Sequence, residues 1–267
     1  MIIGTRGSEL ALKQTEIAVN KLGLKDYTVK VIKTKGDAVK KPLQEIGIAV
    51  FTKELDNALL SGEIDIALHS LKDIPVEGFD EKLEIVVIER SDSRDCLIGK
   101  PGIIGTDSIR RQYEIKNHYN NINFKSLRGN IPTRIKKLEN KEYDGIIVAN
   151  CALDRLGLLV KDKTVFSVKE MVPAAGQGAI AVVKRKKDKF GFLKKGTLHS
   201  CCMLEREFIK DLGGCKKPVG AYCDYHGGGF RLIGLGYKHD KRILANFSGD
   251  EEEIIGKIRK WKEKYIL

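Results

Sequence analysis

Two turns near the middle of the chain combine hydroxyl groups, arginines and the start of a helix. Residues 105–111 (GTDSIRR) follow an apolar run, and residues 126–134 (SLRGNIPTR) repeat the design with Pro132, which suits a first helical turn. Free N–H groups and the helix dipole favour anions there, and open α/β sheets bind ligands at the carboxyl ends of strands. One such turn alone is more often ordinary helix capping. Two together indicate an anion-binding site.

A third segment suited to chemistry is residues 69–75 (HSLKDIP). It follows an apolar run, and Pro75 favours an extended Ile74, so Lys72 and Asp73 are predicted to lie in a turn at a strand end. A lone Lys–Asp pair is usually a surface salt bridge that contributes little stability. Beside a sheet edge lined by arginines, the Asp73 carboxylate has a second use, because it can stabilise cationic intermediates or transfer protons.

A cysteine in a Gly-rich turn, residues 213–218 (GGCKKP), is a candidate nucleophile. Two glycines permit a tight exposed turn, and Lys216 and Lys217 favour the thiolate of Cys215 over the thiol. A structural cysteine is the commoner role for any one cysteine. Cys96 and Cys151 lie in apolar surroundings and are predicted to be structural.

The cysteines do not predict a disulfide framework or a metal site. A chain of this length without a signal peptide is not a disulfide scaffold, and neither a CxxC nor an HxxxH pair accompanies the cluster of Cys and His after residue 198. We therefore predict no metal and mostly buried thiols. The six cysteines are Cys96, Cys151, Cys201, Cys202, Cys215 and Cys223.

The composition restricts which classes of protein and of ligand are compatible with the sequence. The 267 residues are 42% hydrophobic, which excludes a disordered chain, and no apolar run is long enough to span a membrane. With no signal peptide, we expect a soluble cytoplasmic protein that does not bind membranes. The net charge is +12, and seven of the 13 arginines lie within 66 residues. These are Arg90, Arg94, Arg110, Arg111, Arg128, Arg134 and Arg155.

Short apolar runs alternate with helical patterns, which predicts an α/β protein with largely parallel sheets. The basic stretch at residues 184–189 is interpreted as a solvated linker, followed by a small α+β domain. Predicted strands cover residues 2–4, 28–34, 64–68, 84–88, 96–99, 103–105, 122–127, 145–149, 180–183, 230–237 and 242–247, and one helix is predicted to begin at Phe51.

Taken in order, these motifs resemble the porphobilinogen deaminase (hydroxymethylbilane synthase) family of haem biosynthesis. The resemblance covers nearly the whole chain, and the strings HSLKDIP, GTDSIRRQ, LRGNIPTR and GGCKKPVG are jointly specific. It implies a transferase that condenses four porphobilinogen molecules into hydroxymethylbilane, with release of ammonia. It also implies a dipyrromethane cofactor, held by a thioether to the residue that matches Cys215.

The resemblance also implies roles for individual residues. Asp73 matches the catalytic aspartate, which faces the pyrrole nitrogens and stabilises the cation left when ammonia departs. The implied cofactor-binding residues are Cys215, Lys72, Ser70, Thr106, Ser108, Arg110 and Arg111. The implied substrate-binding residues are Arg6, Ser8, Arg128, Arg134 and Arg155.

The family architecture implies two doubly wound domains like type II periplasmic binding proteins, with the active cleft between them. Domain 1 would comprise residues 1–90 and 174–186, domain 2 residues 94–172, and domain 3 residues 195–267 with Cys215 on a loop facing the cleft.

The chain departs from the family pattern in two places. Residues 47–50 lack the usual Gly- and Lys-rich segment, which leaves a lid role for residues 38–50 open. Asp107 replaces a small hydroxyl residue, so it should either cap the helix or point away from a bound polyanion.

Two other classes of function stay open on the residues alone. A binding protein of the same cleft architecture would recognise a small anion without chemistry, but it would not need the Gly-Gly-Cys turn. A nucleic-acid binder would suit the positive charge, but residues 184–189 lack interleaved aromatics, so we expect no nucleic-acid partner. An exposed basic surface favours a monomer.

Overall fold

The structure is a computed structural model that describes residues 1–34, 36 and 52–266. The side chains of Cys215 and Ile266 are outside this description. Segment 38–50, whose lid role the sequence leaves open, and the predicted helix start at Phe51 also lie outside the described residues.

Strands and helices alternate along the described chain. In chain order they are β1 (Ile2–Thr5), α1 (Glu9–Leu22), β2 (Thr28–Val31), α2 (Lys53–Leu60), β3 (Ile66–Ser70), a 3-10 turn (Leu71–Asp73), β4 (Leu83–Arg90), β5 (Asp95–Gly99), β6 (Ile103–Gly105), α3 (Ile109–Ile115), β7 (Asn123–Lys125), α4 (Ile131–Glu139), β8 (Gly145–Ala149), α5 (Asn150–Arg155), β9 (Lys163–Val165), β10 (Ala179–Arg185), α6 (Thr197–Ile209), a 3-10 turn (Gly214–Lys216), β11 (Gly220–His226), β12 (Gly229–Lys238), β13 (Lys241–Gly249) and α7 (Glu251–Ile266).

The first sheet has the strand order β2-β1-β3-β10-β4. Strand β1 runs parallel to β2 and β3, whereas β10 runs antiparallel to β3 and β4. Helix α1 packs on one face against Ile3, Ile66 and Val182, and α2 packs on the other against Ala67 and Val183. Because both faces are buried, the central strands β3 and β10 are mostly apolar.

The second sheet, with strand order β7-β6-β8-β5-β9, repeats this layout. Strand β6 is parallel to β7 and β8, and β5 is the antiparallel strand between β8 and β9. The C-terminal sheet is an antiparallel meander, β11-β12-β13, on which α6 and α7 pack through Phe208, Ile254 and Ile258. The predicted fold class is confirmed: two doubly wound α/β units and a small α+β C-terminal unit.

The interpretation of residues 184–189 as a solvated linker is wrong for the first two residues of this segment. Lys184 and Arg185 are the last residues of β10, and Lys184 is only 7% exposed. Lys184 lies opposite Glu84 on β4, and its Nζ forms an ion pair with Glu84 Oε2 at 2.5 Å. This cross-strand pair allows a basic residue to extend a buried strand.

Candidate active site

The functional segments predicted from sequence lie at the carboxyl ends of parallel strands in both sheets. Arg6 follows β1 and the 3-10 turn with Asp73 follows β3, while Thr106 follows β6 and Arg128 lies just beyond β7. Three of the helices that follow begin with a capping side chain: Ser8 on α1, Ser108 on α3 and Asn130 on α4. This placement gathers anion-binding helix starts around one cleft.

Asp73 lies where the sequence predicts, in the turn after β3. Ile74 is extended, with φ −84° and ψ 124°, as expected before Pro75. Asp73 lines a small cleft together with Arg6, Ser8 and His69. Its charge also acts on Arg134 of the second sheet's unit. The carboxylate therefore faces cationic groups from both halves of the molecule.

His69, on β3, is a buried polar residue in the wall of this small cleft. Its Nε2 has no hydrogen-bond partner among the described residues. Burial, together with the nearby positive charge of Arg6, lowers the pKa of His69 to about 3. The imidazole is therefore neutral at physiological pH.

This shift predicts a pH dependence of stability. The unfolded chain takes up a proton on His69 below its ordinary pKa of about 6.5, whereas the folded chain does not. The stabilising contribution of neutral His69 to the free energy of unfolding should therefore be fully present above that pH. Below it, the free energy of unfolding should fall by about 1.4 kcal/mol per pH unit. The free energy of unfolding in urea should fall between pH 7 and pH 5, and this fall should be about 2 kcal/mol smaller in His69→Gln than in the wild type. His226→Gln, at an exposed site, should keep the wild-type loss. Equal losses in the wild type and His69→Gln would contradict the assignment.

The buried carboxylate of Asp95, at the start of β5, organises the two arginines of the first anion turn. Arg110 Nη2 lies 2.8 Å from Asp95 Oδ2, and Arg111 Nη2 lies 2.7 Å from Oδ1. Arg110 also donates to the carbonyl of Val172 at 2.7 Å, and Arg111 to that of Ile147 at 2.9 Å. Burial alone would raise the pKa of Asp95, but Arg110 and Arg111 hold it well below its usual range.

Arg110 and Arg111 are thus more deeply embedded than their sequence position suggests. Both are buried, with guanidinium groups held by protein oxygens. Direct contact with a ligand stays a prediction for them. The sequence analysis missed Asp95, because a single acidic residue beside an apolar run carries no local sign of its partners.

Removing the Asp95 charge should strongly destabilise the fold. Asp95→Asn leaves two buried guanidinium groups without their counterion, so we expect a loss of about 3 kcal/mol in the free energy of unfolding. Asp224→Asn is the matched control, since Asp224 pairs with Arg231 at 2.9 Å on an exposed surface, and it should cost less than about 1 kcal/mol. If Asp95→Asn and Asp224→Asn lower the free energy of unfolding in urea equally, the ion pairs of Asp95 do not stabilise the fold more than an exposed pair does.

Gln177 connects this buried centre to Lys72. Its Nε2 donates to Asp95 Oδ1 at 2.9 Å and to the carbonyl of Ser93 at 2.7 Å, so its Oε1 is free to accept from Lys72 Nζ at 3.3 Å. Burial and the nearby Arg111 lower the pKa of Lys72. The sequence analysis assigned Gln177 no role.

The second anion turn carries a cluster of positive charge. Arg134 Nε donates to the carbonyl of Gly129 at 2.7 Å, and Arg128 Nε lies 3.2 Å from Asp107 Oδ2. Burial, Arg111 and Arg128 lower the pKa of Arg134 to about 10, against the opposing effect of Asp107. Burial is the largest cause of this shift, and the neighbouring guanidinium groups add to it, so positive charges lie close together here, which suits an anionic ligand. Asp107 neither caps the helix, since Ser108 does so, nor points away from the cluster.

Of the remaining predicted residues, Ser8 and Ser70 line the small cleft, whereas Thr106 and Arg155 lie in the second sheet's unit. Ser8 Oγ accepts from the Ala11 amide at 3.3 Å, and Ser70 Oγ lies 2.8 Å from Gln14 Nε2. Thr106 Oγ1 accepts from the Ser108 amide at 3.2 Å. Arg155 is buried at the crossing between the sheets, where it donates to Ser91 Oγ at 3.1 Å and to the carbonyl of Gly178. Burial lowers the pKa of Arg155.

Two buried carboxylates fix the C-terminal sheet to the rest of the molecule. Glu205 of α6 pairs with Arg90 Nη1 at 2.6 Å and accepts from the Gly176 amide at 2.7 Å. Glu114 of α3 accepts from Arg242 Nε at 2.8 Å and from Tyr237 OH at 2.6 Å. The C-terminal unit, and with it the turn that carries Cys215, is therefore held in a defined position.

The turn Gly214–Lys216 lies beside helix α3, with Cα atoms within 8 Å. Gly213 and Gly214 both have positive φ, 84° and 51°, which is the freedom the Gly-Gly pair was expected to supply. Gly220, just after the turn, is so close to Arg110 that a Cβ there would lie 3.1 Å from its Cδ. The backbone therefore brings the Cys215 turn to the end of the cleft where Arg110 and Arg111 lie. The other cysteines are buried, as predicted: Cys96, Cys151, Cys201, Cys202 and Cys223.

The described residues offer neither a metal-binding cluster nor a membrane-spanning helix. Within them, no three or more His, Cys, Asp or Glu side chains are grouped so as to hold a metal ion. Among the described helices, none combines the length and the apolar character that crossing a membrane requires.

Comparison with known proteins gives matches over nearly the whole chain. Residues 1–191 match the family model "Porphobilinogen deaminase, dipyromethane cofactor binding domain", and residues 199–258 match "Porphobilinogen deaminase, C-terminal domain". A porphobilinogen deaminase of Helicobacter acinonychis is 38% identical over 290 aligned positions, which cover 100% of this chain and 94% of that protein. One from Ruminiclostridium josui is 39% identical, over 87% of this chain and 85% of that protein.

Solved structures similar to the chain include an ABC transporter protein from Parabacteroides distasonis. Its TM-score is 0.42 at 11% identity, over 69% of this chain and 65% of that one. A second is the substrate-binding protein of an amino acid ABC transporter, with a TM-score of 0.34 at 13% identity, over 70% of this chain and 86% of that one.

Proposed function

Because this chain belongs to the porphobilinogen deaminase family, we propose that it condenses four porphobilinogen molecules head to tail into hydroxymethylbilane, with release of ammonia. The observation that supports the proposal is the position of Asp73, which lines a cleft with Arg6 and interacts electrostatically with Arg134 of the second sheet's unit. A chain that only bound a small anion would not need a carboxylate there. Incubation of the purified protein with porphobilinogen tests the proposal, and we expect one ammonia molecule to be released for each porphobilinogen consumed and four for each hydroxymethylbilane formed.

The residues present fit a dipyrromethane cofactor. Each of its pyrrole rings carries an acetate and a propionate group. Lys72 and Arg134 are cations whose pKa values are lowered by burial first and by the nearby Arg111 second, so an added carboxylate would be attracted to them. When bound, the cofactor supplies the pyrrole carbon to which the first substrate is joined. We propose that its carboxylates are held by Lys72, Ser70, Thr106, Ser108, Arg110 and Arg111.

Cys215 is the proposed attachment residue. The turn that carries it lies beside α3, next to Arg110 and Arg111, so the attached group would extend into the positive cleft. Lys216 and Lys217 are exposed and adjacent in sequence, and their charge favours the thiolate that a C–S bond requires.

Asp73 is the proposed catalytic residue. A fixed carboxylate stabilises the positive charge that develops on the substrate when ammonia leaves, and it can accept a hydrogen bond from a pyrrole N–H. Its position on a short 3-10 turn, held by the extended Ile74 and Pro75, keeps the charge in place before the substrate arrives.

The incoming substrate and growing chain are proposed to bind to the second set of cations. Arg128 and Arg134 lie on the turn after β7 and the first residues of α4, and Arg6 and Ser8 lie across the cleft. Guanidinium groups bind carboxylates by paired hydrogen bonds. Arg155 completes this set by its position at the crossing between the sheets.

We also propose the wider organisation of the protein. Each sheet would form the core of one domain, with boundaries at residues 1–90 plus 174–186, 94–172 and 195–267; the separate hydrogen-bonded sheets support this division. The protein would act as a cytoplasmic monomer on a small-molecule substrate, with no nucleic-acid or membrane partner.

A further inference from the structure

A carboxylate lies within the proposed substrate-binding cations. Asp107 immediately precedes Ser108, the N-cap of α3, and its Oδ2 lies 3.2 Å from Arg128 Nε. The two side chains are 11% and 22% exposed, so the pair is partly shielded from solvent without being fully buried. A substrate carboxylate that approaches Arg128 therefore meets a carboxylate already in place.

The surroundings of Asp107 are mostly positive. Arg134 on α4 interacts electrostatically with Asp107, with Arg111 on α3 and with Arg128, and Asp73 adds negative charge from across the cleft. Asp107 thus balances part of the charge of Arg128 and Arg134. It also holds Arg128 close to the start of α3.

We propose that Asp107 is an internal competitor for the substrate's carboxylate. It holds the Arg128 guanidinium in the free enzyme and gives it up when a carboxylate of porphobilinogen binds, so that Asp107 sets the affinity for the substrate. This inference rests on the proposed function, because it takes Arg128 as a substrate-binding residue. Its physical basis is that one guanidinium edge binds one carboxylate, and a second carboxylate nearby is repelled.

The test is the split between KM and kcat in Asp107→Asn. The amide keeps the shape of the side chain and removes its charge, so KM for porphobilinogen should fall about three- to fivefold, the range of a partly exposed ion pair. Because Asp107 does not touch the reacting atoms, kcat should change less than KM. Asp224→Asn, which removes an Arg–Asp pair on the C-terminal sheet, should leave both constants unchanged. An unchanged or higher KM in Asp107→Asn would overturn the proposal.

A binding measurement separates this inference from the proposed function. Succinate, a dicarboxylate, should raise the melting temperature of Asp107→Asn at lower concentration than that of the wild type. Asp107→Ser, with a smaller neutral side chain, should behave likewise and replaces Asp107→Asn if that variant does not fold. If the wild type does not convert porphobilinogen, the proposed function fails, whereas equal succinate responses in all variants would overturn only the role of Asp107.

Discussion

Cys215→Ser is expected to lose turnover of porphobilinogen completely. A serine hydroxyl is a far weaker nucleophile than a thiolate, and it cannot form the thioether that retains the cofactor through successive cycles. The substitution changes one atom in a short turn, so the fold should be preserved. Product formation in a stopped assay should be at background, and the protein should carry no covalent addition.

The control for this variant is Cys201→Ala. Cys201 is buried in the apolar cluster of the C-terminal unit, so its removal tests the loss of a thiol that should not react. We expect this variant to retain the attached cofactor and its turnover. Wild-type turnover in Cys215→Ser, or loss of the cofactor in both variants, would contradict the assignment of Cys215.

Asp73→Asn is expected to retain the cofactor and lose catalysis. The amide has the same shape but cannot balance the positive charge that forms when ammonia leaves, so kcat should fall by about 10²- to 10⁴-fold. Since Cys215 is unchanged, the cofactor should still be attached. Mass spectrometry after incubation with porphobilinogen should show little extension of the cofactor.

Asp73→Glu is the matched variant for this prediction. It keeps the negative charge but moves it along the cleft, so activity between those of the wild type and Asp73→Asn is expected. Melting temperatures of the three proteins show whether the turn is intact. Turnover by Asp73→Asn at the wild-type rate would refute the catalytic role.

The sequence predicts the positions of the site segments well, because they depend on local chemistry. Ser108 was expected to start a helix and does so as an N-cap, and Pro75 was expected to extend Ile74 and does so. Strand direction was harder to predict. An apolar run such as residues 180–183 is compatible with a parallel and with an antiparallel strand. The sequence therefore did not predict that β10 runs antiparallel to β3 and β4.

The partners of the charged residues could not be read from sequence. Arg111 on helix α3 pairs with Asp95 at the start of strand β5, and Gln177 donates to Asp95 from 82 residues away. Such contacts depend on how distant elements pack together in the folded chain. For the same reason, Asp107 was expected to cap the helix or to point away, and the structure places it against Arg128.

The most direct test of the account is the intact mass of the purified protein after incubation with porphobilinogen. A dipyrromethane bound to Cys215 should raise the mass on the order of 400 Da above that of the polypeptide, in denaturant as well as in buffer, because the bond is covalent. Digestion should place the addition on the peptide that contains Cys215. A mass equal to that of the unmodified 29.8 kDa chain, or an addition on another peptide, would contradict the account.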